Sequence, residues 1–389
     1  MSNILDYLDW RGDICMADAP FNEVDNLLLS ELSYVALDGI LSGLEEDVWI
    51  TVKEAGKIFF SRHNKEEIYE DRSLMAKAPF VLEKMAKVKR FQDLRLSYYV
   101  NQIDEEEEKQ FSALVVECQD TTYFVAFRGT DDTLVGWKED FNMSYISAVP
   151  SQLEAVSYLE QVAKKVKGRL RLGGHSKGGN LAVYAAVKCK KEVQDRIIEI
   201  YNNDGPGFSK EMLSSREYGR IRERIWTIVP QTSIVGMLLE HEEEYLVTKS
   251  SQSGIMQHDP LSWEVLGPKF VYLDELKKNS RILDLTLKNW INKMTREQRE
   301  EFVMALFHVL YETGARNLSE LSEDKLGNFG ALIKTAKAVK HMTAEDQEML
   351  IKVIRGLIKA YKDVVKEEYL PECLKAQGER KGIGKNKKI

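Results

Sequence analysis

The stretch LGGHSKGGNL, residues 172–181, decides the fold of this chain. The residues before it, 169–172, have strand character, and apolar residues recur at helical spacing from Leu181 onward. The pattern therefore predicts a strand, a tight turn with Ser176 at its tip, and a helix. Gly174 and Gly178 lack the Cβ atoms that would clash where the strand and the helix approach each other.

A serine at the tip of such a turn indicates a reaction as well as a fold. The G-x-S-x-G pattern between a strand and a helix is the nucleophile elbow of α/β-hydrolases, so Ser176 is the candidate nucleophile. The N-terminus of the following helix favours negative charge, and the backbone N–H of Lys177 is a candidate oxyanion donor. The alternative is an ordinary glycine-rich turn carrying a surface serine.

Length and composition indicate a globular protein. The chain has 389 residues, of which 43% are apolar and 30% charged, enough for one large domain or two ordinary ones. A net charge of -7 argues against a general nucleic-acid binder. No apolar run approaches the roughly 20 residues of a membrane span, and residues 1–13 lack the pattern of a signal peptide. We therefore expect a cytoplasmic protein with no transmembrane segment.

The cysteines give no sign of a metal or redox centre. Cys15, Cys118, Cys189 and Cys373 lie far apart, and none forms a C-x-x-C pair. Cys118 and Cys189 fall in apolar segments, so we expect buried thiols. We expect neither a metal nor a cofactor.

Strands that alternate with helices predict an α/β-hydrolase fold, a mostly parallel sheet flanked by helices, over residues 1–275. Residues 1–90 are predicted to be mostly helical, and residues 151–168 to form a helix before the elbow strand. Residues 111–127 are predicted to form a hairpin, and the acidic run 104–108 another hairpin tip. The predicted strands cover residues 94–100, 111–117, 123–127, 169–172, 197–201, 225–229, 245–248 and 270–273.

The chain becomes helical from residue 276 to residue 370. Thr295 and Gln298 form a predicted capping box, which opens an apolar stripe running to Leu310. A second stripe lies within residues 343–361. Such stripes are more often packing faces than partner sites, although a partner-binding role stays open. The basic tail, residues 371–389, is predicted to be disordered.

A serine hydrolase also needs a histidine base and an acid, which follow the serine in this fold. His308 and His341 lie in the helical region, and His241 opens a charged run interpreted as a solvated loop. We favour His258, because it lies in a loop after a predicted strand. Asp204 follows the strand after the elbow helix and is the candidate acid, with a plain turn aspartate as the alternative.

Together these motifs resemble a known group of proteins. The Phe-Arg-Gly-Thr run at 127–130, Trp137, Asp140 and the elbow resemble class 3 lipases, a branch of the α/β-hydrolases. Three further segments make the set similar to a family of bacterial proteins described as lipase-like or Mbeg-like. They are residues 203–208 (NDGPGF), 233–236 (SIVG) and 257–260 (QHDP), and the resemblance spans roughly residues 20 to 270.

The resemblance implies roles for several residues. Thr130 would supply a second oxyanion donor, Arg128 would anchor that turn by ion pairing, and Trp137 and Asp140 would belong to a segment covering the site. Ser233 stands where class 3 lipases place the acid of the triad. Either Asp204 takes over, or the site is a dyad, or it is weakened.

The sequence thus predicts a serine hydrolase that cleaves an ester, a thioester or a lipid-like acyl bond. Ser176 would attack, His258 would carry the proton, and Asp204 would orient His258. Its partner would be a small-molecule acyl ester or lipid-like substrate. A weak or inactive hydrolase fold that binds a partner through its C-terminal helices is the alternative, and a peptidase is a third possibility.

Overall fold

The computed structural model describes residues 2–70, 77–131, 133–233, 235–236, 239–274 and 293–312, with residues 286, 290, 316, 355, 356 and 359. The strands are β1 (Ile50–Thr51), β2 (Arg95–Asp104), β3 (Lys109–Glu117), β4 (Tyr123–Phe127), β5 (Leu170–His175), β6 (Ile197–Asn203), β7 (Ile225–Pro230), β8 (Tyr245–Thr248), β9 (Val265–Leu266), β10 (Lys269–Phe270) and β11 (Tyr272–Leu273).

Helices precede, separate and follow these strands. They are α1 (Ile4–Arg11), α2 (Glu23–Leu32), α3 (Val52–Arg62), α4 (Lys65–Glu70), α5 (Ala78–Met85), α6 (Leu134–Asn142), α7 (Pro150–Lys165), α8 (Lys177–Lys188), α9 (Lys191–Gln194), α10 (Lys210–Leu213), α11 (Arg216–Gly219) and α12 (Arg296–Glu312). Residues 1–90, predicted to be mostly helical, contain α1 to α5 and the short strand β1 in their described part.

A nine-stranded sheet, ordered β1-β2-β3-β4-β5-β6-β7-β8-β11, forms the centre of the molecule. Its strands from β4 to β8 run parallel, and the flanking strands pair antiparallel. The predicted fold class is therefore confirmed. Because β5, β6 and β7 are parallel neighbours, residues that follow them meet at one edge of the sheet, where α/β proteins build their sites.

The predicted hairpins are present, and one predicted strand is wrong. β3 and β4 form the expected antiparallel pair, and the acidic run closes the hairpin of β2 and β3. The segment from Phe270 to Leu273 is not one strand, because the backbone of Val271 forms hydrogen bonds to two different neighbouring segments. Its N–H donates to the Glu264 carbonyl, whereas its carbonyl accepts from Lys249. β10 consequently pairs with β9, and β11 pairs with β8.

The first helices and the sheet share one hydrophobic core. In α2, Leu27, Leu28 and Leu29 are fully buried, and the helix packs against β4 and β5. Asn26 of α2 donates to the amide oxygen of Asn203 at 2.9 Å, and the Asn203 amide donates back to Asn26 at 3.2 Å. This amide pair fixes α2 to the end of β6. The opposite face of the sheet packs against α7 and α8.

The predicted capping box and stripe of α12 are present. The Thr295 N–H donates to Gln298 at 3.0 Å, and the Gln298 N–H donates to the Thr295 hydroxyl at 3.3 Å. The stripe residues Phe302, Ala305 and Leu306 are buried. The helix packs on α6, where the rings of Phe307 and Phe141 lie 5.7 Å apart. The stripe is therefore a packing face in the described part of the chain. The tail and nearly all of the second stripe lie outside the described residues.

None of the described helices is both long and apolar enough to cross a membrane.

Candidate active site

Ser176 lies between the end of β5 and the start of α8, as the elbow pattern predicts. Its backbone has φ 57° and ψ -134°, a left-handed conformation that costs free energy in any residue with a Cβ atom. The Ser176 N–H donates to the Asn203 carbonyl at 2.9 Å, which ties the turn to the end of β6. A Cβ atom on Gly174 or Gly178 would collide with neighbouring backbone, so both positions require glycine.

The predicted base and acid lie together. Nδ1 of His258 is 2.7 Å from Oδ2 of Asp204. Asp204 is fully buried directly after β6, and its N–H donates to the Ile228 carbonyl of β7 at 2.8 Å. A hydrogen bond to Nδ1 fixes the tautomer of the imidazole and leaves Nε2 available for proton transfer.

Ser233, at which the resemblance to class 3 lipases implies an acid, also contacts Asp204. Its hydroxyl donates to Oδ1 of Asp204, and the Gly236 N–H donates to the same oxygen at 3.2 Å. Both oxygens of the carboxylate are therefore engaged, one by His258 and the other by these two donors. Such hydrogen bonds fix the orientation of a buried carboxylate.

Among the described residues no hydrogen bond joins Ser176 to His258, although the elbow and the loop of His258 are in contact. The ring of His175, the residue before Ser176, lies 4.5 Å from the ring of His258, centroid to centroid. The hydrogen bond between a nucleophile and its base is often long in free enzymes and shortens when substrate binds.

The turn containing Thr130 approaches Ser176 from β4. A Cβ atom added to Gly129 would lie 3.0 Å from the Cβ of Ser176. Among the described residues, the backbone N–H groups of Thr130 and Lys177 have no hydrogen-bond acceptor, the state that oxyanion donors need. Arg128 anchors the turn through Asp131, at 3.4 Å, as predicted from the resemblance.

The hydroxyl of Thr130 donates to Asp140 on α6, and Trp137 lies on the same helix. Burial raises the pKa of Asp140 to about 6, although the Lys177 ammonium and the Thr130 hydroxyl act in the opposite direction. The segment after the turn is thus bound to Thr130, the candidate oxyanion donor.

The side chain of Lys177 is fully buried, which no sequence pattern indicates. Its Nζ donates to the carbonyl and the side-chain oxygen of Gln110 and to Oε2 of Glu139, each at 2.9 Å. The ammonium also lies 3.9 Å from Asp140. A buried charge is stable only when it is paired and hydrogen-bonded, and these contacts join α8, β3 and α6 beneath the oxyanion turn.

The prediction that His241 lies in a solvated loop is wrong. Its side chain is buried, with Nδ1 3.0 Å from Glu243 and Nε2 2.7 Å from the Gly236 carbonyl. Burial acts to raise the pKa of Glu243, but hydrogen bonds from His241, Thr227 and Tyr218 lower it to about 2. Because Glu243 and the Gly236 carbonyl occupy both ring nitrogens, His241 is not available as a base.

The remaining sequence candidates lie apart from this cluster. His308 is exposed on α12, and His341 lies outside the described residues. Asp259 accepts from Lys77 at 2.8 Å and does not orient its neighbour His258. Cys118 and Cys189 are buried, as predicted, and burial raises the pKa of each thiol to about 12. The residues the structure describes include no group of three side chains suited to hold a metal.

A cleft of about 310 Å³ lies beside α8, at the side of the site. Its walls include Gln152 and Gly207, and both contact Asn180, one helical turn beyond Ser176. The other walls are mainly apolar: Met143, Ile146, Ala148, Tyr184, Phe208, Met212 and Leu239. The buried Asn180 separates this cleft from Ser176.

The parallel sheet, the strained elbow and the cluster around Ser176 define an α/β-hydrolase fold. The chain belongs to the Mbeg1-like family, whose profile matches residues 85–308. This confirms the family that the motifs predicted.

Comparison with solved structures finds a distant likeness. A crystal structure of M37 lipase is similar at 20% sequence identity and a TM-score of 0.33, over 44% of this chain and 65% of that lipase. The chain thus spans just under two thirds of the lipase. No curated protein matches the chain. The fold assignment therefore depends on the sheet and the elbow themselves.

Proposed function

We propose that this protein is a serine hydrolase that cleaves an ester, a thioester or a lipid-like acyl bond. The observation that carries the proposal is the arrangement after the adjacent strands β5 and β6. Ser176 follows β5 in a strained backbone conformation, and Asp204, after β6, binds His258 at 2.7 Å. Strain held at a nucleophile and a base held in one tautomer are features of acyl-transfer sites.

In the proposed reaction, Oγ of Ser176 attacks the substrate carbonyl while Nε2 of His258 takes the hydroxyl proton. The tetrahedral oxyanion accepts hydrogen bonds from the N–H groups of Lys177 and Thr130. The carbon–heteroatom bond then breaks, and the leaving alcohol or thiol takes the proton from His258. Water attacks the acyl-enzyme in the same way, which releases the acid and restores Ser176.

Ser233 supports an active site rather than a weakened one. A serine at this position cannot itself orient an imidazolium by charge, but here it donates a hydrogen bond to a carboxylate that can. The expected acid function is therefore carried by Asp204, and Ser233 assists it. The absence of an acid at position 233 is therefore no longer a reason to treat the protein as an inactive scaffold.

Labelling with a fluorophosphonate probe tests the proposal. The wild-type chain should be labelled at Ser176, and Ser176→Ala should not be labelled. Ser214→Ala removes an exposed hydroxyl that bonds only to its own helix and should be labelled like the wild type. Equal labelling of the wild type and Ser176→Ala would refute the proposal.

Turnover of short and long p-nitrophenyl esters and of a thioester then defines the acyl class. Labelling without turnover of any of these substrates would leave the nucleophile in place and contradict the proposed substrate class.

A further inference from the structure

Tyr34 lies just after α2, outside the segment that matches the family profile, yet its hydroxyl reaches the site. The phenol donates to the carbonyl of His175 at 3.0 Å and lies 3.2 Å from Nδ1 of the same residue. The same hydroxyl packs against Gly129, because a Cβ atom on this glycine would collide with it and with the His175 carbonyl. Burial raises the pKa of Tyr34 well above its ordinary value. One hydroxyl therefore contacts both the elbow and the oxyanion turn.

His175 continues this chain of contacts to the base. Its Nε2 lies 2.8 Å from the backbone carbonyl of His258, and a carbonyl can only accept, so Nε2 carries the proton. Burial and the nearby charge of His258 hold the pKa of His175 well below its ordinary value. A neutral His175 with Nε2 protonated leaves Nδ1 as an acceptor facing Tyr34.

Glu31, one helical turn before Tyr34, lies beside His175 on the same side as Tyr34. Its Oε1 lies 3.9 Å from Nδ1 of His175 and has no hydrogen-bond partner among the described residues. A buried unpaired carboxyl favours the protonated state. A protonated Glu31 adds no net charge beside the two histidines, which is compatible with a neutral His175.

We propose that Tyr34 and His175 are positioning residues that hold the elbow, the oxyanion turn and the loop of His258 in register. Tyr34 fixes Gly129 against His175, and His175 fixes the backbone of His258. The inference rests on the proposed hydrolase function, since it assigns the two residues to the same site. Neither residue contacts the reacting atoms in this assignment.

Tyr34→Phe removes the hydroxyl and keeps the ring. We expect kcat and the rate of fluorophosphonate labelling to fall about five- to tenfold, which is the effect of one lost buried hydrogen bond. KM should stay unchanged, because the ground-state contacts of the substrate are not altered.

Tyr7→Phe is the matched control. The hydroxyl of Tyr7 is also buried in the N-terminal helices, where it donates to Asp25 at 2.9 Å, beside the buried Arg90. Its removal should lower the melting temperature to a similar extent and leave the labelling rate of Ser176 unchanged. The pair separates a loss of stability from a loss of alignment.

The second arm tests His175. His175→Gln keeps an N–H donor near the position of Nε2, and His175→Leu has none. We expect the glutamine variant to retain at least several times more activity than the leucine variant. A merely structural role would give two variants whose activities follow their melting temperatures.

Two results would overturn the inference: labelling of Tyr34→Phe at the wild-type rate, or equal activity of the two His175 variants. Either result leaves the proposed function intact as long as the wild-type chain is labelled at Ser176. Absence of labelling in the wild type would instead refute the function itself.

Discussion

The hydroxyl of Ser233 donates a hydrogen bond to the carboxylate of Asp204. The two residues follow neighbouring parallel strands, β7 and β6, so their side chains meet at the same edge of the sheet. An acid placed after β6 or after β7 can therefore reach a histidine in the loop that carries His258. This relationship gives a physical reason why Ser233 can stand where class 3 lipases carry the acid.

Replacing the acid should be far more damaging than replacing its neighbour. We expect Asp204→Asn to lower kcat by about 10⁴-fold, because the amide favours the wrong tautomer of His258. Ser233→Ala should cost about tenfold, the effect of one hydrogen bond to a charged group. Steady-state kinetics on one ester measures both variants. Similar losses in the two variants would contradict the assignment of Asp204 as the acid.

The two loop histidines should behave differently. His258→Ala should lower kcat by about 10⁴-fold or more. His241→Ala should retain activity within about tenfold, because His241 acts only through Gly236 and Glu243 behind the acid. Its main effect should be a lower free energy of unfolding. A larger loss of kcat in His241→Ala than in His258→Ala would exchange the roles of the two residues.

The buried ion pair of Lys177 and Glu139 should show strong coupling. Lys177→Met leaves the Glu139 carboxylate buried without its cation, and we expect a loss of about 3–5 kcal/mol in unfolding free energy. Combining it with Glu139→Gln should recover part of that loss. Urea unfolding of both single variants and the double variant measures the coupling. Purely additive losses would show that the pair contributes no specific interaction.

Glu31 should make stability depend on pH. Burial raises its pKa from 4.5 to about 8, and the charge of Asp259 adds to the shift. Between these values the unfolded chain releases the proton and the folded chain keeps it, so this group makes the fold less stable as pH rises. Glu31→Gln removes that dependence. The unfolding free energy of Glu31→Gln minus that of the wild type should therefore increase from about pH 5 to pH 8. The increase should be at most about 1.4 kcal/mol per unit of pKa shift.

Urea unfolding of both proteins across this pH range provides the measurement. The useful quantity is the slope of the difference, since the buried amide also changes the offset between the two curves. A difference that stays constant with pH would mean that Glu31 ionises normally in the folded protein.

The strain at Ser176 should be measurable as stability. Ser176→Ala keeps a Cβ atom at φ 57°, whereas Ser176→Gly relieves the conflict. We expect the unfolding free energy of the glycine variant to exceed that of the alanine variant by about 1 kcal/mol. Both variants should be inactive. Equal stabilities would indicate that the elbow stores no strain at this residue.

Local patterns were sufficient to predict part of this molecule. The strand, turn and helix around Ser176, the α/β class and the pairing of Asp204 with His258 all follow from spacing, chain order and the position of loops. The segment from Phe270 to Leu273 could not be predicted, because Val271 forms its hydrogen bonds with distant strands.

The contributions of Tyr34 and Lys177 could not be predicted for the same reason. Tyr34 lies 141 residues from His175 along the chain. The apolar residues around it in the sequence are typical of any helix that packs on a sheet and give no sign of a site. Lysine is normally exposed, and only the approach of Gln110 and Glu139 makes its burial possible. The charged neighbours of His241 indicate a solvated loop, whereas in the structure Glu243 turns inward and contacts it.

The amide pair of Asn26 and Asn203 has a consequence for how the protein is divided. Sequence similarity delimits a segment that begins at residue 85, but α2 lies before it and is bonded to the strand that carries Asp204. A fragment cut at that boundary would expose the sheet face that Leu27, Leu28 and Leu29 cover. The segment that matches the family profile is thus smaller than the unit that shares one hydrophobic core, and fragments of this protein made for experiments should keep α2.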